Sequence, residues 1–271
     1  MLVASSAGAF CRTTTSQVPA GYDPTTNGCW KQGTPLAWHS NRAPYGVLSA
    51  ASKQVSLSDA THVADLAFSA WNDVSCPGAP SVQAYDDGPI SMVPEGSDCM
   101  TSASCSPSTH DYVVFDDVSW PHDDPANTLA LTTVTYGVDD GTIFEAYTEV
   151  NTAQHTVTAQ EPPPAGSGAY DLQAILTHEA GHFFGLAHAA EHTSIMYAYY
   201  KTGAIELTAD DTSGFCSIYP PGSGPGGNGG KGCACESAPP RGTGGMVIAG
   251  AALLALAAWR RRTPLRVTRR A

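Results

Sequence analysis

The chain has 271 residues, of which 42% are hydrophobic and 14% charged, enough for one domain of about 200 residues with a sizeable core plus additional segments. Its net charge of −12 is unevenly distributed, because residues 1–230 hold 24 acidic and 5 basic residues while residues 231–271 hold one acidic and eight basic residues. The acidic character of residues 1–230 argues against nucleic acid as a partner, because the phosphate backbone of nucleic acids binds basic surfaces.

The first nine residues, MLVASSAGA, end in Ala7-Gly8-Ala9, a small-residue pattern typical of a signal-peptide cleavage site. The charged start and most of the apolar core of such a peptide are missing. We therefore interpret residues 1–9 as the remnant of a signal peptide that starts upstream, with a merely small-residue N-terminus as the alternative. Residues 10–34 then form a Cys-containing N-terminal segment of an exported protein.

Six of the eight cysteines lie before residue 220, and their even number permits up to three disulfides in an oxidising compartment. Six cysteines allow fifteen pairings, among which we expect the two local ones, Cys11–Cys29 and Cys99–Cys105. The remaining two of the six are Cys76 and Cys216. The lack of a CxxC pair disfavours a structural zinc site.

The hydrophobic pattern predicts one long helix among several strands before residue 171. Residues 59–74 have apolar residues at the 3–4 spacing of an amphipathic helix, with Ser58 as the expected N-cap. The predicted strands are residues 35–38, 45–47, 112–115, 129–136 and 143–150.

Residues 178–188 read HEAGHFFGLAH, which is the pattern HExxHxxGxxH. A helix is predicted for residues 172–184 with Asp171 as its N-cap, and it places His178 and His182 one turn apart on one face, where they can share a metal ion. Gly185 ends the helix at a sharp turn suited to positive φ, and the turn returns His188 as a third nitrogen ligand.

Three protein ligands leave one coordination position for water, which is the arrangement of a catalytic zinc. Glu179 projects beside the metal and can accept a proton from the zinc-activated water, then deliver it to the leaving amine. An ordinary amphipathic helix is the alternative for a lone HExxH string, but the eleven-residue pattern is far more specific.

The motif resembles that of the metzincin metallopeptidases, and Ser194-Ile195-Met196-Tyr197 resembles their methionine turn, with Met196 as the supporting residue beneath the zinc. The LTADD…IYP pattern of residues 207–220 resembles the closing helix of matrixin-like domains. This resemblance covers roughly residues 35–220. It implies an α+β metzincin catalytic domain at residues 35–221, with a twisted mixed sheet and three helices, that hydrolyses peptide bonds in protein or peptide substrates.

The sequence departs from individual subfamilies of the metzincins. Matrixins usually carry Ser after the third His, where this chain has Ala189, and astacins and serralysins carry Tyr two residues after the turn methionine, where it has Ala198. Tyr197 and Tyr199 lie nearby and are candidates for assisting the oxyanion, with packing as the alternative. A further alternative is that Cys11 binds the zinc and keeps the enzyme latent.

Five acidic pairs are candidates for Ca²⁺ binding, because oxygen-rich loops bind this ion. None matches the EF-hand pattern, and solvated loops are the alternative. Asp139-Asp140-Gly141 is better interpreted as a turn. The pairs are Asp86-Asp87, Asp116-Asp117, Asp123-Asp124, Asp139-Asp140 and Asp210-Asp211.

The C-terminal region consists of a Gly-rich linker, residues 222–232, and a sorting or anchor segment, residues 233–271. The latter has a short apolar span at residues 243–259 followed by Arg260-Arg261-Arg262, which places the C-terminus in the cytoplasm under the positive-inside rule.

Together with Cys233 and Cys235, this arrangement resembles the myxobacterial C-terminal sorting signal (MYXO-CTERM type). The resemblance implies a Gram-negative source, a tail initially in the inner membrane, and processing or anchoring at one of the two cysteines. A permanent single-span anchor is the alternative.

The sequence thus predicts a secreted or cell-surface zinc endopeptidase that acts as a monomer, with catalytic Zn²⁺ and a candidate Ca²⁺ site. Two other functions remain open. One is a catalytically inactive surface-binding module on a metzincin scaffold. The other is a zinc hydrolase that acts on a non-peptide amide.

Overall fold

The computed structural model describes residues 10–19, 21–78, 80–91 and 111–221, together with the backbone of residues 266–268. The predicted signal-peptide remnant, the Cys99–Cys105 disulfide, the linker and the membrane span at residues 243–259 lie outside the described residues. Within the described ranges, no helix has both the length and the apolar character needed to cross a membrane.

The described residues form four helices and ten strands. The helices are α1 (Pro24–Asn27), α2 (Leu57–Asn72), α3 (Leu172–Phe183) and α4 (Ala209–Ile218). The strands are β1 (Cys11–Arg12), β2 (Arg42–Val47), β3 (Gln83–Asp86), β4 (Tyr112–Phe115), β5 (Ala130–Tyr136), β6 (Ile143–Val150), β7 (Val157–Thr158), β8 (Tyr170–Asp171), β9 (Leu186–Ala187) and β10 (Arg266–Thr268). The short helix α1 is one more than the three predicted. Asp23 caps it and Pro24 occupies its first position, so local sequence stabilises this single turn.

A mixed sheet with the strand order β10-β5-β6-β4-β2-β3 lies at the centre of the fold. Strands β3, β2, β4 and β6 run parallel to one another, whereas β5 runs antiparallel to β6. At the far edge, β10 pairs antiparallel with the end of β5. The predicted cytoplasmic C-terminus stays a prediction.

Most of the strand predictions are confirmed. Strands β4 and β6 have the predicted bounds, β5 begins one residue later than predicted, and residues 45–47 form the end of β2. The prediction of a strand at residues 35–38 is wrong, since this segment makes only isolated bridges to Thr14 and Thr142. Pro35 has no amide hydrogen to donate, and the amide of Trp38 donates to the Tyr219 hydroxyl at 3.1 Å instead of to a strand.

Helix α2 packs against α3 on one side of the sheet. Its N-cap is Ser56, whose Oγ accepts from the amide of Asp59 at 3.2 Å, so the predicted cap at Ser58 is wrong. The cap lies two residues earlier because Ser56 and Asp59 have the spacing of a capping box. The apolar face of α2 is buried and ends in Trp71, whose Nε1 donates to the carbonyl of Thr177 in α3 at 2.9 Å.

Two disulfides link the described cysteines. The predicted Cys11–Cys29 bond is confirmed, and it leaves no free thiol at Cys11, so the alternative that Cys11 binds the metal is wrong. A second bond, Cys76–Cys216, joins the end of the α2 region to α4 across 140 residues and was not predicted. The N-terminal segment is also held in place by β1, which pairs with β9 directly after the turn at Gly185.

Candidate active site

Helix α3 carries the first half of the histidine motif. Asp171 caps it as predicted, with Oδ1 accepting from the amide of Gln173 at 2.9 Å. Just beyond the helix, Gly185 has φ of 89°, and a Cβ at this position would lie 2.6 Å from the carbonyl oxygen of Leu36. Only glycine combines a positive φ with the absence of a Cβ. Gly185 therefore allows the chain to reverse and bring His188 back towards α3.

His178, His182 and His188 converge as predicted. Their candidate ligand nitrogens all lie within 4.8 Å of one another, and the ring centroids of the three pairs are 4.8, 4.9 and 5.2 Å apart. Among the described residues, no other group of three His, Cys, Asp or Glu side chains is arranged to hold a metal ion. The triad could therefore hold a metal ion between α3 and the segment that follows it.

The hydrogen bonds of two rings suit metal binding. Nδ1 of His178 lies 2.7 Å from the carbonyl oxygen of Ile195, and Nδ1 of His182 lies 2.9 Å from that of Leu186. Because a carbonyl only accepts, each Nδ1 carries the hydrogen, and in the neutral ring the lone pair is then on Nε2. This fixed tautomer is the form in which a histidine ligates a metal, so these residues fit a zinc ion.

Glu179 is only 6% exposed and lies next to the triad, where it lines the adjoining cleft. Its Oε2 accepts a hydrogen bond from the Thr132 hydroxyl at 2.7 Å. Burial raises the pKa of the Glu179 carboxyl, an effect that His178 and the Thr132 hydrogen bond partly oppose. A carboxylate with a raised pKa is a stronger base than a solvated one, which suits a residue that accepts a proton from water.

Met196 lies beneath α3, as the methionine-turn prediction requires. It is 2% exposed, and its sulfur occupies the space where a Cβ at Gly181 would be, 2.2 Å away. The glycine within the HEAGH string is therefore needed for close packing of the helix on the turn. A backbone bond from the Ala189 amide to the Met196 carbonyl, 2.8 Å long, joins the turn to the chain just after His188.

Asp211 anchors this turn, and the sequence analysis did not identify that role. Its buried carboxylate accepts from the Ser194 hydroxyl at 2.5 Å and the Ile195 amide at 3.0 Å, and it also accepts from the amide and hydroxyl of Thr208 at the start of α4. The LTADD pattern was the available signal. Because these donors occupy the carboxylate oxygens, Asp211 does not suit the Ca²⁺ site considered for its acidic pair.

The other acidic pairs include one turn. Residues 138–140 form a turn that overlaps the one predicted at Asp139-Asp140-Gly141, and just after it the Thr142 amide donates to Oδ1 of Asp140 at 3.0 Å. Asp117 likewise accepts from the hydroxyls of Ser52 and Thr152. A Ca²⁺ site stays a prediction.

A cleft that is partly open to solvent adjoins the triad. Its walls are the start of β5, one face of α3 and residues 195–204, with Tyr197, Tyr199 and Lys201 among the lining residues. Tyr199 is 67% exposed, and the Tyr197 ring lies 4.5 Å from that of His192. Both tyrosines thus reach the cleft, but packing with neighbouring rings accounts for the position of Tyr197, and an oxyanion role for either stays a prediction.

The segment that carries this site is similar in sequence to known metalloproteinases. Residues 112–220, which contain all of the candidate site residues, match the family model described as Matrixin. Metalloendoproteinase 1-MMP of Arabidopsis thaliana is 33% identical over 89 residues, covering 30% of this chain and 24% of that protein. Interstitial collagenase of Equus caballus is 39% identical over 57 residues, covering 21% and 12%. Metalloendoproteinase 2-MMP of Arabidopsis thaliana is 40% identical over 55 residues, covering 20% and 15%.

The chain spans about a quarter or less of the length of these relatives. Their names and the family match agree in indicating a matrixin-like metallopeptidase segment at residues 112–220. The mixed α+β arrangement of sheet and helices fits a catalytic domain of this kind.

Proposed function

We propose that this protein is an exported zinc endopeptidase that hydrolyses peptide bonds in protein or peptide substrates and acts as a monomer. His178, His182 and His188 would hold the zinc, and Glu179 would act first as general base and then as general acid. The observation that carries the proposal is the convergence of three histidine nitrogens within 4.8 Å of one another, in a matrixin-like segment.

When bound, zinc supplies Lewis acidity that polarises a carbonyl group and makes a water molecule easier to deprotonate. The Glu179 carboxylate accepts the proton from the attacking water and later donates it to the nitrogen of the leaving amine. Its burial suits a proton acceptor, because a carboxylate with little contact with solvent is a stronger base than a solvated one. The adjoining cleft has room for a substrate side chain beside the reacting bond.

The complete set of three histidines and Glu179 favours catalysis over the alternative of an inactive binding module. The Met196 turn and the Asp211 anchor add to this, since they fix the backbone carbonyl that orients His178. An enzyme that acts on a non-peptide amide could use the same groups. A panel of protein and small amide substrates separates these two functions.

Export is supported by the two disulfides, because such bonds form and persist in oxidising compartments. The sorting signal of the MYXO-CTERM type rests on the sequence of residues 222–271 alone. Mass spectrometry of the mature surface protein tests it. A new C-terminus at or near Cys233 or Cys235 would support processing, whereas retention of residues 260–262 would favour a permanent anchor.

The proposed activity is tested by casein cleavage with the purified full chain, before and after chelation and with zinc restored. We expect chelation to stop cleavage and zinc to restore it. His188→Ala should lose most of its zinc and its activity, whereas His62→Ala, which alters an exposed histidine of α2 outside the triad, should keep both. Cleavage that persists in the metal-free protein, or full zinc occupancy in His188→Ala, would contradict the proposal.

A further inference from the structure

A pair of buried threonines lies behind Glu179. Thr132 in β5 and Thr148 in β6 are directly opposite in the strand register, and each is 4% exposed. Their hydroxyl oxygens are 2.8 Å apart, and Oγ1 of Thr132 is 2.7 Å from Oε2 of Glu179. Two neighbouring strands thus present a short polar chain to the carboxylate from beneath α3.

The direction of this chain follows from the number of hydrogens available. A threonine hydroxyl has one hydrogen to donate, and a carboxylate has none. The Thr132 hydrogen goes to Glu179, so the Thr148 hydroxyl must be the donor to Thr132. The order of donation is therefore Thr148 to Thr132 to Glu179. The Thr132 hydroxyl donates its hydrogen to the carboxylate and accepts one from Thr148.

This arrangement treats the two oxygens of Glu179 differently. Among the described residues, the Thr132 hydroxyl makes the side-chain hydrogen bond to this carboxylate, and it does so at Oε2. Glu179 lines the cleft, so with Oε2 turned towards Thr132, Oε1 is the oxygen available to a water or substrate there. The hydrogen bond from Thr132 favours the carboxylate orientation in which one oxygen faces β5 and the other faces the cleft.

We propose that Thr132, supported by Thr148, is a positioning residue that holds Glu179 with Oε1 directed at the reacting water. The inference rests on the proposed role of Glu179 as general base. A side chain acting as a base must lie within hydrogen-bond reach of its proton in the right orientation, and displacement by about 1 Å can cost about 100-fold in rate. Thr132 acts through Glu179 and does not itself contact the substrate.

Thr133 provides a matched control in the next position of β5. It is 1% exposed, but its hydroxyl has no hydrogen-bond partner among the described residues. Side chains alternate along a strand, so Thr133 points away from α3. The same Thr→Val change at positions 132 and 133 therefore removes one buried hydroxyl that touches Glu179 and one that does not.

The experiment measures kcat, KM and zinc content of the full chain with a quenched fluorescent peptide that the parent cleaves. We expect Thr132→Val to lower kcat by about 10- to 100-fold with KM and zinc content within about twofold of the parent. The kcat of Thr132→Ser should be within about threefold of the parent value, because serine keeps the hydroxyl. The kcat of Thr148→Val should fall by about two- to fivefold, since Thr132 can still donate to Glu179. Thr133→Val should match the parent.

A double-mutant cycle in urea tests the contact without relying on activity. Thr132→Val and Glu179→Ala should shift the unfolding midpoint non-additively, because each removes the same hydrogen bond. Additive shifts, failure of Thr132→Ser to recover, or an equal loss in Thr133→Val would overturn the positioning role. Lack of any cleavage by the parent would instead contradict the proposed function, and the positioning role with it.

Discussion

The two faces of the central sheet carry polar residues of different kinds. On the face towards α3, Thr132 and Thr148 are uncharged, hydrogen-bonded to each other and directed at one carboxylate, Glu179. On the opposite face, Glu149 pairs with His122 at 2.8 Å, and burial together with Glu149 raises the pKa of Asp116 to about 6. The same strands thus provide the setting for chemistry on one face and a group of partly buried carboxyls on the other.

This contrast predicts different consequences for mutations on the two sides. Changes on the helix side should alter metal binding, turnover or the packing of α2, α3 and α4. Changes among the carboxyl groups near β4 and β6 should alter how stability depends on pH and leave turnover unchanged.

The largest expected effect is loss of the Cys76–Cys216 disulfide, which joins elements on the helix side across 140 residues. Its replacement by two alanines should lower the free energy of unfolding by about 5 kcal/mol, because the bond restricts a long loop in the unfolded chain. Replacing Cys11 and Cys29, which are 18 residues apart, should cost about 3 kcal/mol. Urea unfolding of both variants measures the difference, and an equal or reversed order would contradict the loop-length argument.

Asp211→Ala should have the next largest effect. It removes the acceptor for the Ser194 hydroxyl and the Ile195 amide, so we expect a loss of about 3 kcal/mol in the free energy of unfolding. The Ile195 carbonyl also orients His178, so zinc affinity should fall by about 10- to 100-fold.

Competition with a zinc chelator and urea unfolding measure these two quantities. Ser213→Ala, at an exposed position of the same helix, is the control and should leave both unchanged. Parental zinc affinity in Asp211→Ala would show that the turn does not depend on this carboxylate.

The sequence predicted the parts of the site that lie close together along the chain. The spacing of His178 and His182, the positive φ of Gly185 and the cap at Asp171 all depend on local geometry, as does the Cys11–Cys29 bond. Strand β6 has strong alternation and was predicted with its observed bounds.

Contacts between distant segments could not be predicted in this way. Thr132 and Glu179 are 47 residues apart, and only the register of β5 under α3 brings them together. Asp211 reaches the methionine turn through the packing of α4, and Cys76–Cys216 is one of fifteen pairings that composition permits. The error at residues 35–38 has the same origin, because tertiary partners take the hydrogen bonds that a strand would make.

The smallest of the three stability effects is expected at Asp111, directly before β4. Burial and, less strongly, Glu145 raise the pKa of this carboxyl to about 8, although a hydrogen bond from the Ala146 amide opposes them. The folded state thus holds a proton that the unfolded state, with a pKa near 3.9, releases. The contribution of Asp111 to the free energy of unfolding is fully present below about pH 4 and is lost as the pH rises towards 8.

Asp111→Asn should remove this dependence, because the amide keeps an acceptor for Ala146 and carries no charge. Between pH 5 and pH 6.5 the parent should lose about 2 kcal/mol more than the variant, and turnover per folded molecule should not change. Asp139→Asn, in an exposed turn, is the control. If Asp111→Asn and the parent show the same pH dependence in urea unfolding, the buried carboxyl is not the source.

The central claim is that the histidines hold a metal while Glu179 performs the proton transfer, and one comparison tests it most directly. Casein cleavage and zinc content are measured side by side for the parent and Glu179→Ala. The account predicts one zinc per molecule in both proteins and cleavage only by the parent, with a loss of at least about 100-fold in the variant. Cleavage by Glu179→Ala at the parental rate, or loss of its zinc together with its activity, would contradict the account.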